Sequence, residues 1–154
     1  MTLNSAMSAV TICRRISFSS GHRYFNPDWS DEENRRVYGS SYSVSGDGHN
    51  FVLEAMLEGE VDPETGMIVN LKEVDSVLKE VTAPLDHHFL NTDVAEFAAK
   101  VPTAENVALY CLRELRRLIN SGTIRVARVR LYEGADFWVE CRADAEAGGH
   151  SCGE

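Results

Sequence analysis

The residues best suited to metal binding or catalysis lie in a polar stretch, 41–50, that is interrupted by glycines and leads into the apolar run 51–57. Within it, Asp47 and His49 stand two residues apart, with only a glycine between them. Because side chains on a strand alternate between faces, these two leave the strand on the same side. A carboxylate and an imidazole so close together form a two-ligand platform for a divalent metal. The alternative is a histidine satisfied within a loop, beside an aspartate turn.

A third ligand must come from elsewhere, because a catalytic zinc usually takes three protein ligands and keeps one position open. The chain has five histidines, and His22 is the best placed of them. It ends an alternating run that begins at Val10, and it shares the parity of the apolar residues in that run. Two strand ends lying side by side would bring His22 to the platform. We therefore predict a metal site formed by His22, Asp47 and His49.

Alternating apolar segments predict the strands that position these residues. Four such segments occur, at 10–20, 50–60, 124–132 and 137–141. In the third of them the apolar parity shifts near Ala127, which predicts a β-bulge. The order strand, strand, helix, helix, strand, strand predicts an α+β domain. In such a domain two helices cover one face of a four-stranded antiparallel sheet.

The helices are predicted from their caps and from apolar residues at helical spacing. Ser30 and Glu33 form a capping box that starts a short helix at 31–38. Asn70 and Thr103 cap two longer helices, which carry an apolar stripe each. The whole pattern places a single domain at 10–142. We expect a flexible N-terminus at 1–9 and a disordered tail at 143–154.

Length and charge limit the class of protein. At 154 residues the chain has the size of one domain. Its formal charge of −9 argues against a general nucleic-acid or anionic-membrane binder, which would present a basic face. No apolar run reaches the roughly 18 residues that a membrane span needs, and no signal peptide is visible. We expect a cytoplasmic protein with neither nucleic-acid nor membrane partners.

Several short motifs connect the candidate residues to a known family. They occur in the order Phe18-Ser19-Ser20-Gly21-His22, Gly46-Asp47-Gly48-His49-Asn50, Pro84-Leu85-Asp86-His87, Thr103-Ala104-Glu105-Asn106 and Leu131-Tyr132-Glu133. In these motifs the chain resembles the 6-pyruvoyltetrahydropterin synthase and 6-carboxytetrahydropterin synthase family, over roughly residues 10–142. It departs from the family at two places. Asp47 replaces the first histidine of the usual His-Gly-His, and serines replace the catalytic cysteine upstream.

The resemblance implies the T-fold, in which such sheets join around a ring into a barrel. It implies a homo-oligomer, a hexamer in this family, with active sites between subunits. The implied substrate is 7,8-dihydroneopterin triphosphate or a related pterin, from which triphosphate is eliminated. One divalent metal per subunit is expected, with zinc as the first choice. Because Asp47 makes the ligand set harder and more anionic, iron and manganese are alternatives.

Asp86 and His87 match the family's Asp–His proton relay. A carboxylate beside an imidazole raises the imidazole pKa and fixes its tautomer for proton transfer. The alternative is a capped loop, 85–91, that follows Pro84 and has no catalytic role.

Glu133 matches the glutamate that holds the guanidine-like edge of the pterin, where a carboxylate accepts two parallel N–H bonds. Thr103 and Glu105 match residues that line the same pocket. The ordinary alternatives are a solvated hairpin corner for Glu133 and a surface residue favoured by the helix dipole for Glu105.

Ser41 stands where the family's catalytic cysteine falls, and Ser43 stands at the shorter bacterial spacing. A serine hydroxyl is far less acidic than a thiol and cannot be a resting base at neutral pH. Either another group takes the proton, with His87 as the first candidate, or proton abstraction is impaired. Two functions therefore stay open. One is a 6-pyruvoyltetrahydropterin synthase-like enzyme with an altered active site, and the other is a catalytically silent pterin-binding or regulatory homologue.

Overall fold

The computed structural model describes residues 8–119 and 122–143. Its elements are β1 Val10–His22, α1 Asp31–Tyr38, a 3-10 helix Gly39–Tyr42, β2 Asp47–Gly59, α2 Leu71–Thr82, β3 His88–Phe89, α3 Leu90–Asp93, a second 3-10 helix Ala95–Ala98, α4 Ala104–Leu118, β4 Ile124–Tyr132 and β5 Trp138–Arg142. The N-terminus predicted at 1–9 and the tail predicted at 143–154 fall largely outside the described residues. Within the described ranges, no helix is long and apolar enough to cross a membrane.

One sheet with the strand order β3-β1-β2-β4-β5 organises the chain. β1 and β2 form a continuous antiparallel ladder, which runs from Val10 opposite Gly59 to His22 opposite Asp47. The predicted meeting of these two strand ends is therefore confirmed. His22 and Asp47 are direct partners across the ladder. The end of β1 and the start of β2 therefore lie at the same end of the sheet.

β3 is the difference from the predicted four-stranded antiparallel sheet. The segment 85–91 is predicted as a loop, but two of its residues, His88 and Phe89, pair in parallel with β1. The sheet therefore has five strands and one parallel pair. A strand of two residues is too short to leave a periodic signal in a sequence. Tertiary contacts hold it, among them the hydrogen bond that the His87 amide donates to the Ser19 carbonyl oxygen at 2.6 Å.

The predicted bulge in β4 is confirmed. Val126 and Arg128 lie opposite consecutive residues of β2, so Ala127 has no partner in that ladder. The extra residue reverses the parity of the rest of the strand. Leu131 is consequently 0% exposed beneath the helices, and Glu133, two residues further on, continues on the same face. The bulge thus decides which way this carboxylate points.

The hydrophobic core fills the space between the sheet and the two longer helices. Leu53 of β2, Leu78 of α2 and Leu115 of α4 are at most 1% exposed, which confirms that the apolar stripes of both helices face the sheet. Burying a side chain of this size contributes about 1.5–3 kcal/mol. The two helices therefore hold the sheet end where His22 lies in a fixed position.

The three predicted N-caps are confirmed. The side chains of Ser30, Asn70 and Thr103 each accept a hydrogen bond from a backbone amide in the first turn of α1, α2 and α4. Caps of this kind contribute about 0.5–2 kcal/mol each. The cap at Thr103 matters most for the site, because it sets the start of α4 and hence the position of Pro102 just before it.

We expect the turn into β2 to tolerate no side chain at Gly46. Its φ is +68°, and a Cβ there would lie 2.6 Å from Cε2 of Phe89 and 2.7 Å from the carbonyl oxygen of His22. Gly39 has a φ of +55° but open space around it, so it is a matched control. Gly46→Ala should lower the free energy of unfolding by about 2–4 kcal/mol, from strain plus the clash. Gly39→Ala should lower it by about 1–3 kcal/mol, from backbone strain without the clash.

Urea unfolding followed by circular dichroism measures both losses. Equal losses for the two variants would mean that Phe89 moves aside freely and that the turn is not tightly packed.

Candidate active site

His22 is buried at the end of β1, with 2% of its surface exposed. Its Nδ1 lies 2.7 Å from the carbonyl oxygen of Pro102. Because a carbonyl oxygen can only accept, Nδ1 carries the proton and donates. The neutral ring then keeps a lone pair on Nε2. This is the arrangement in which metal-binding histidines are usually held, with one nitrogen anchored to the protein and the other free to coordinate.

His49 and Glu133 complete a compact group with His22. The imidazole rings of His22 and His49 lie 5.1 Å apart and perpendicular to each other. Nε2 of His49 lies 3.4 Å from Oε1 of Glu133. Among the described residues, His22, His49 and Glu133 each offer one ligand atom, and these atoms all lie within 4.8 Å of one another. Two imidazoles and one carboxylate converge on one point.

The carboxylate of Glu133 is short of partners. The side chain is 18% exposed, and its buried Oε2 has no hydrogen-bond partner among the described residues. Leaving a buried acceptor unsatisfied costs about 1–3 kcal/mol, and more for a charged group. Such groups are rare in native proteins and point to a missing ion, water or ligand donor. A cation or an N–H donor is therefore expected at this oxygen.

The residues present fit a divalent metal. Two histidines and one glutamate form a known catalytic zinc set that leaves a coordination position open. Burial lowers the pKa of His22 below its usual value, although the Pro102 carbonyl and the charge of Glu133 act in the opposite direction. A lowered pKa keeps the imidazole neutral, and only the neutral form can coordinate.

Asp47, predicted as the third ligand, does not belong to this convergent group. It is exposed at the first residue of β2, directly opposite His22, and its charge reaches His22 strongly enough to act on the pKa of that ring. Glu133 takes the third place because β4 is the neighbour of β2 and its bulge turns this side chain toward the helices. Asp47 as a ligand stays a prediction.

Tyr24 is a residue of the site that the sequence analysis missed. Its ring stands edge-on to His22 at 5.5 Å. Burial raises the pKa of its hydroxyl to about 12, helped by the charges of Glu133 and Glu105 and opposed by the backbone amide of Ala104. The hydroxyl thus stays protonated at neutral pH and acts as a hydrogen-bond donor. Its spacing of two from His22 is the signal by which it could have been found.

The two pocket residues predicted from α4 lie at the start of that helix. The hydroxyl of Thr103 accepts from the amide of Asn106 at 3.2 Å, so this side chain is used as the helix cap. Glu105 is exposed in the first turn, and its charge acts on the hydroxyl of Tyr24. The structure therefore brings Glu105 and Glu133 to the same tyrosine.

Asp86 and His87 contact each other, with 2.9 Å between Oδ1 and Nδ1. Asp86 also accepts from the amide of Ser19 at 2.8 Å. This bond, together with His87, lowers the pKa of the carboxyl. His87 adopts a φ of +59°, and its side chain is 81% exposed. In the part of the chain that the structure describes, no hydrogen bond or ion pair joins this pair to His22, His49 or Glu133.

An open cleft of about 460 Å³ lies where His87 and β3 meet the adjoining ends of β1 and β2. Its lining includes His87, Gly48 and His49. A Cβ at Gly48 would meet nothing within 4 Å, so this glycine leaves the strand surface open there.

Ser41 lies in the 3-10 helix before β2, and its carbonyl oxygen accepts from the amide of Tyr24 at 2.8 Å. This bond ties the loop to the chain segment that follows His22. No described residue forms a hydrogen bond with the Ser41 hydroxyl. Within the described ranges, the hydroxyl is therefore not hydrogen-bonded to a base that could deprotonate it.

Comparisons with known proteins agree with the fold. A family model described as 6-pyruvoyl tetrahydropterin synthase matches residues 11–144. The 6-pyruvoyl tetrahydrobiopterin synthase of Pongo abelii is 41% identical over 123 residues, which cover 79% of this chain and 83% of that protein. The Homo sapiens protein of the same name is 40% identical over 123 residues, with the same coverage of 79% and 83%. The structure of Caenorhabditis elegans 6-pyruvoyl tetrahydropterin synthase matches with a TM-score of 0.84 and 33% identity, over 89% of this chain and 97% of that one.

Metal analysis after dialysis tests whether the convergent group, His22, His49 and Glu133, binds a metal ion. We expect about one divalent ion per chain in the unmodified protein and loss of it in His49→Ala. Glu133→Gln should weaken metal affinity by at least about tenfold, since removal of supporting groups alone commonly costs 10–100-fold. Asp47→Asn is the comparison variant, because it removes the same charge at the same sheet end from a residue outside the convergent group. Metal loss in Asp47→Asn with full occupancy in Glu133→Gln would make Asp47 the ligand and leave Glu133 for another role.

Proposed function

Because this chain belongs to the 6-pyruvoyl tetrahydropterin synthase family, we propose that it is a metal-dependent enzyme acting on 7,8-dihydroneopterin triphosphate or a closely related pterin. The observation that carries the proposal is the convergence of His22, His49 and Glu133 within 4.8 Å. Beside them, Tyr24 and Glu105 supply further polar groups for a ligand. Zinc is the first choice of metal for two imidazoles and a carboxylate.

His22, His49 and Glu133 would hold the metal, with Asp47 as an additional candidate. When bound, the ion supplies a Lewis acid that polarises the hydroxyl groups of the substrate's side chain. The hydrogen bond from Nδ1 of His22 to the Pro102 carbonyl oxygen orients the ring and leaves Nε2 free, while burial lowers the pKa of the ring and keeps it neutral. Tyr24 keeps its proton and can donate a hydrogen bond to a bound oxygen.

Pterin recognition is assigned to the acidic groups around Tyr24. The guanidine-like edge of a pterin presents parallel N–H donors, which a carboxylate accepts in pairs. Glu133 takes this role by the family resemblance, and its unpaired Oε2 leaves it an acceptor site. Glu105 is the second carboxylate of the pocket, and Thr103 caps the helix on which Glu105 lies. Pterin binding by Glu133→Gln and Glu105→Gln, measured beside metal content, separates the two carboxylates.

Proton transfer is assigned to the Asp86–His87 pair. Asp86 stays ionised because the Ser19 amide and His87 lower its pKa. Its contact with Nδ1 places the proton there and leaves Nε2 of His87 as the acceptor. Since His87 is 81% exposed, we assign it to the pocket of a neighbouring subunit, in a homo-oligomer that would be a hexamer by family resemblance. The largely unpaired outer edge of β1, which β3 covers only at Ser20 and Gly21, suits such an assembly.

Mixed oligomers test the shared site. We expect His49→Ala and His87→Ala to be inactive alone and to regain roughly a quarter of full activity when unfolded and refolded together at equal amounts. That fraction follows from random assortment of the two chains that build one site. Product formation from dihydroneopterin triphosphate is the measurement, with each variant refolded alone as the control. A mixture no more active than its parents would place the whole site within one chain.

The second candidate function is a catalytically silent pterin-binding or regulatory protein. The observation that favours it is Ser41, whose hydroxyl lacks a base among its described neighbours. Such a protein would retain the metal group and the acidic pocket, while the abstraction of a proton from the substrate would be lost. Losing a positioned general base typically costs about 10²–10⁴-fold in rate.

Ser41→Cys separates the two functions. A thiol near a divalent cation and a histidine ionises more readily than a free cysteine, so the variant should form a 6-pyruvoyl-type or 6-carboxy-type product at least about tenfold faster. Ser43→Cys places the same thiol in the same loop at the shorter spacing and is expected to gain nothing. Chromatography of the products is the measurement. No gain at either position, with metal and pterin still bound, would favour the silent binder.

A further inference from the structure

Arg23 and Arg35 have no counter-charge among the described residues. Most other arginine side chains there pair with carboxylates, as Arg14 does with Asp75 and Arg130 does with Glu140; the exposed Arg116 of α4 does not. Neither Arg23 nor Arg35 makes an ion pair or a side-chain hydrogen bond within residues 8–119 and 122–143. A guanidinium keeps its charge at all physiological pH values. Arg23 is only partly exposed, and in a chain of net charge −9 a partly buried cation without a carboxylate partner calls for a physical reason.

Both guanidinium groups lie against one buried aromatic ring. The guanidinium carbon of Arg23 is 4.8 Å from the ring centre of Tyr42, and that of Arg35 is 5.6 Å from it. Arg23 also lies over the ring of Phe25, at 4.6 Å. Stacking of this kind holds the plane of a guanidinium while leaving its N–H edge free to donate. Two like charges thus lie against the same ring, and a bound anion would reduce the repulsion between them.

The burial of Arg23 supplies a second indication. Its Nε is buried and lacks a hydrogen-bond partner among the described residues. A buried charged donor without an acceptor costs more than a neutral one. An anion that accepts from this nitrogen removes that cost and neutralises the pair at the same time.

In the sequence, Arg23 and Tyr42 are neighbours of residues in the candidate active site. Arg23 follows the metal-binding candidate His22 directly, and Tyr42 follows Ser41. The loop around them carries serines at four of the six positions 40–45, namely Ser40, Ser41, Ser43 and Ser45. No described residue forms a hydrogen bond with any of these hydroxyls. Free hydroxyl and guanidinium donors together are the groups that bind phosphate oxygens.

We propose that Arg23, Arg35 and the hydroxyls of the serine-rich loop bind the phosphate groups of the substrate. The ligand class is a short oligophosphate ester, whose planar pairs of oxygens match the N–H edge of a guanidinium. This inference rests on the proposed function and extends it by a location for the triphosphate chain. It also gives the loop a binding role, for which the hydroxyl of Ser41 suffices and an ionisable thiol is not needed.

Inorganic triphosphate is the probe, with binding measured by calorimetry on the metal-loaded protein. Arg35→Gln removes an exposed charge without disturbing the core, and Arg23→Lys keeps the charge while losing the planar fork. We expect each to weaken triphosphate binding by about tenfold, the effect of one charged hydrogen bond. Arg36→Gln is the matched control, because Arg36 is the neighbour of Arg35 on α1 but is paired with Glu33 at 2.9 Å. It should change the affinity by less than about twofold.

Substrate analogues separate this inference from the proposed function. Dihydroneopterin without phosphate should bind Arg35→Gln as well as it binds the unmodified protein, while its triphosphate should lose affinity. Triphosphate binding that is insensitive to both arginines would overturn the inference, whether the ion then binds the metal or not at all. Arginine-dependent triphosphate binding without any binding of pterins would support the subsite and refute the pterin enzyme.

Discussion

The hydrogen bond from Nδ1 of His22 to the carbonyl oxygen of Pro102, at 2.7 Å, joins the end of the sheet to the start of α4. It satisfies one nitrogen of a buried ring and thereby keeps the other available. Its geometry depends on two independent pieces of structure. The continuous ladder between β1 and β2 places His22 at the sheet end, and the cap at Thr103 fixes the residue before the helix. A change in either would release the ring on which the candidate site is built.

A buried carboxylate is the second constraint on the site. Glu133 lies among two imidazoles with one oxygen unpaired, an arrangement that is unfavourable for the empty pocket and favourable for one holding a cation or an N–H donor. In the proposed function this carboxylate would serve both metal binding and pterin recognition, and the two roles compete for one side chain. Glu105, exposed at the start of α4, offers a second carboxylate by which that competition can be relieved.

Other side chains capable of proton transfer or anion binding lie at the surface of the chain. The Asp86–His87 pair is exposed at the β3 side of the sheet, and the arginines around Tyr42 lie beside the loop before β2. Their placement is consistent with a site whose metal, proton relay and phosphate contacts come from different elements. In such a site the serine at position 41 belongs to a loop with several free hydroxyls, which suits anion binding better than proton abstraction.

The order of the main elements, the three helix caps and the bulge near Ala127 could be predicted from the amino-acid sequence, because each depends on signals spanning only a few residues. Strand parity also predicted that His22 and His49 lie together. The folded chain alone shows that Glu133 joins these histidines, that Tyr24 lies against His22, and that two residues of a predicted loop pair with β1. The contacts of Glu133 and of β3 join residues far apart in the chain, and strand register and helix docking determine them. The contact of Tyr24 with His22 is local in sequence, but burial, which spacing does not specify, makes it part of the site.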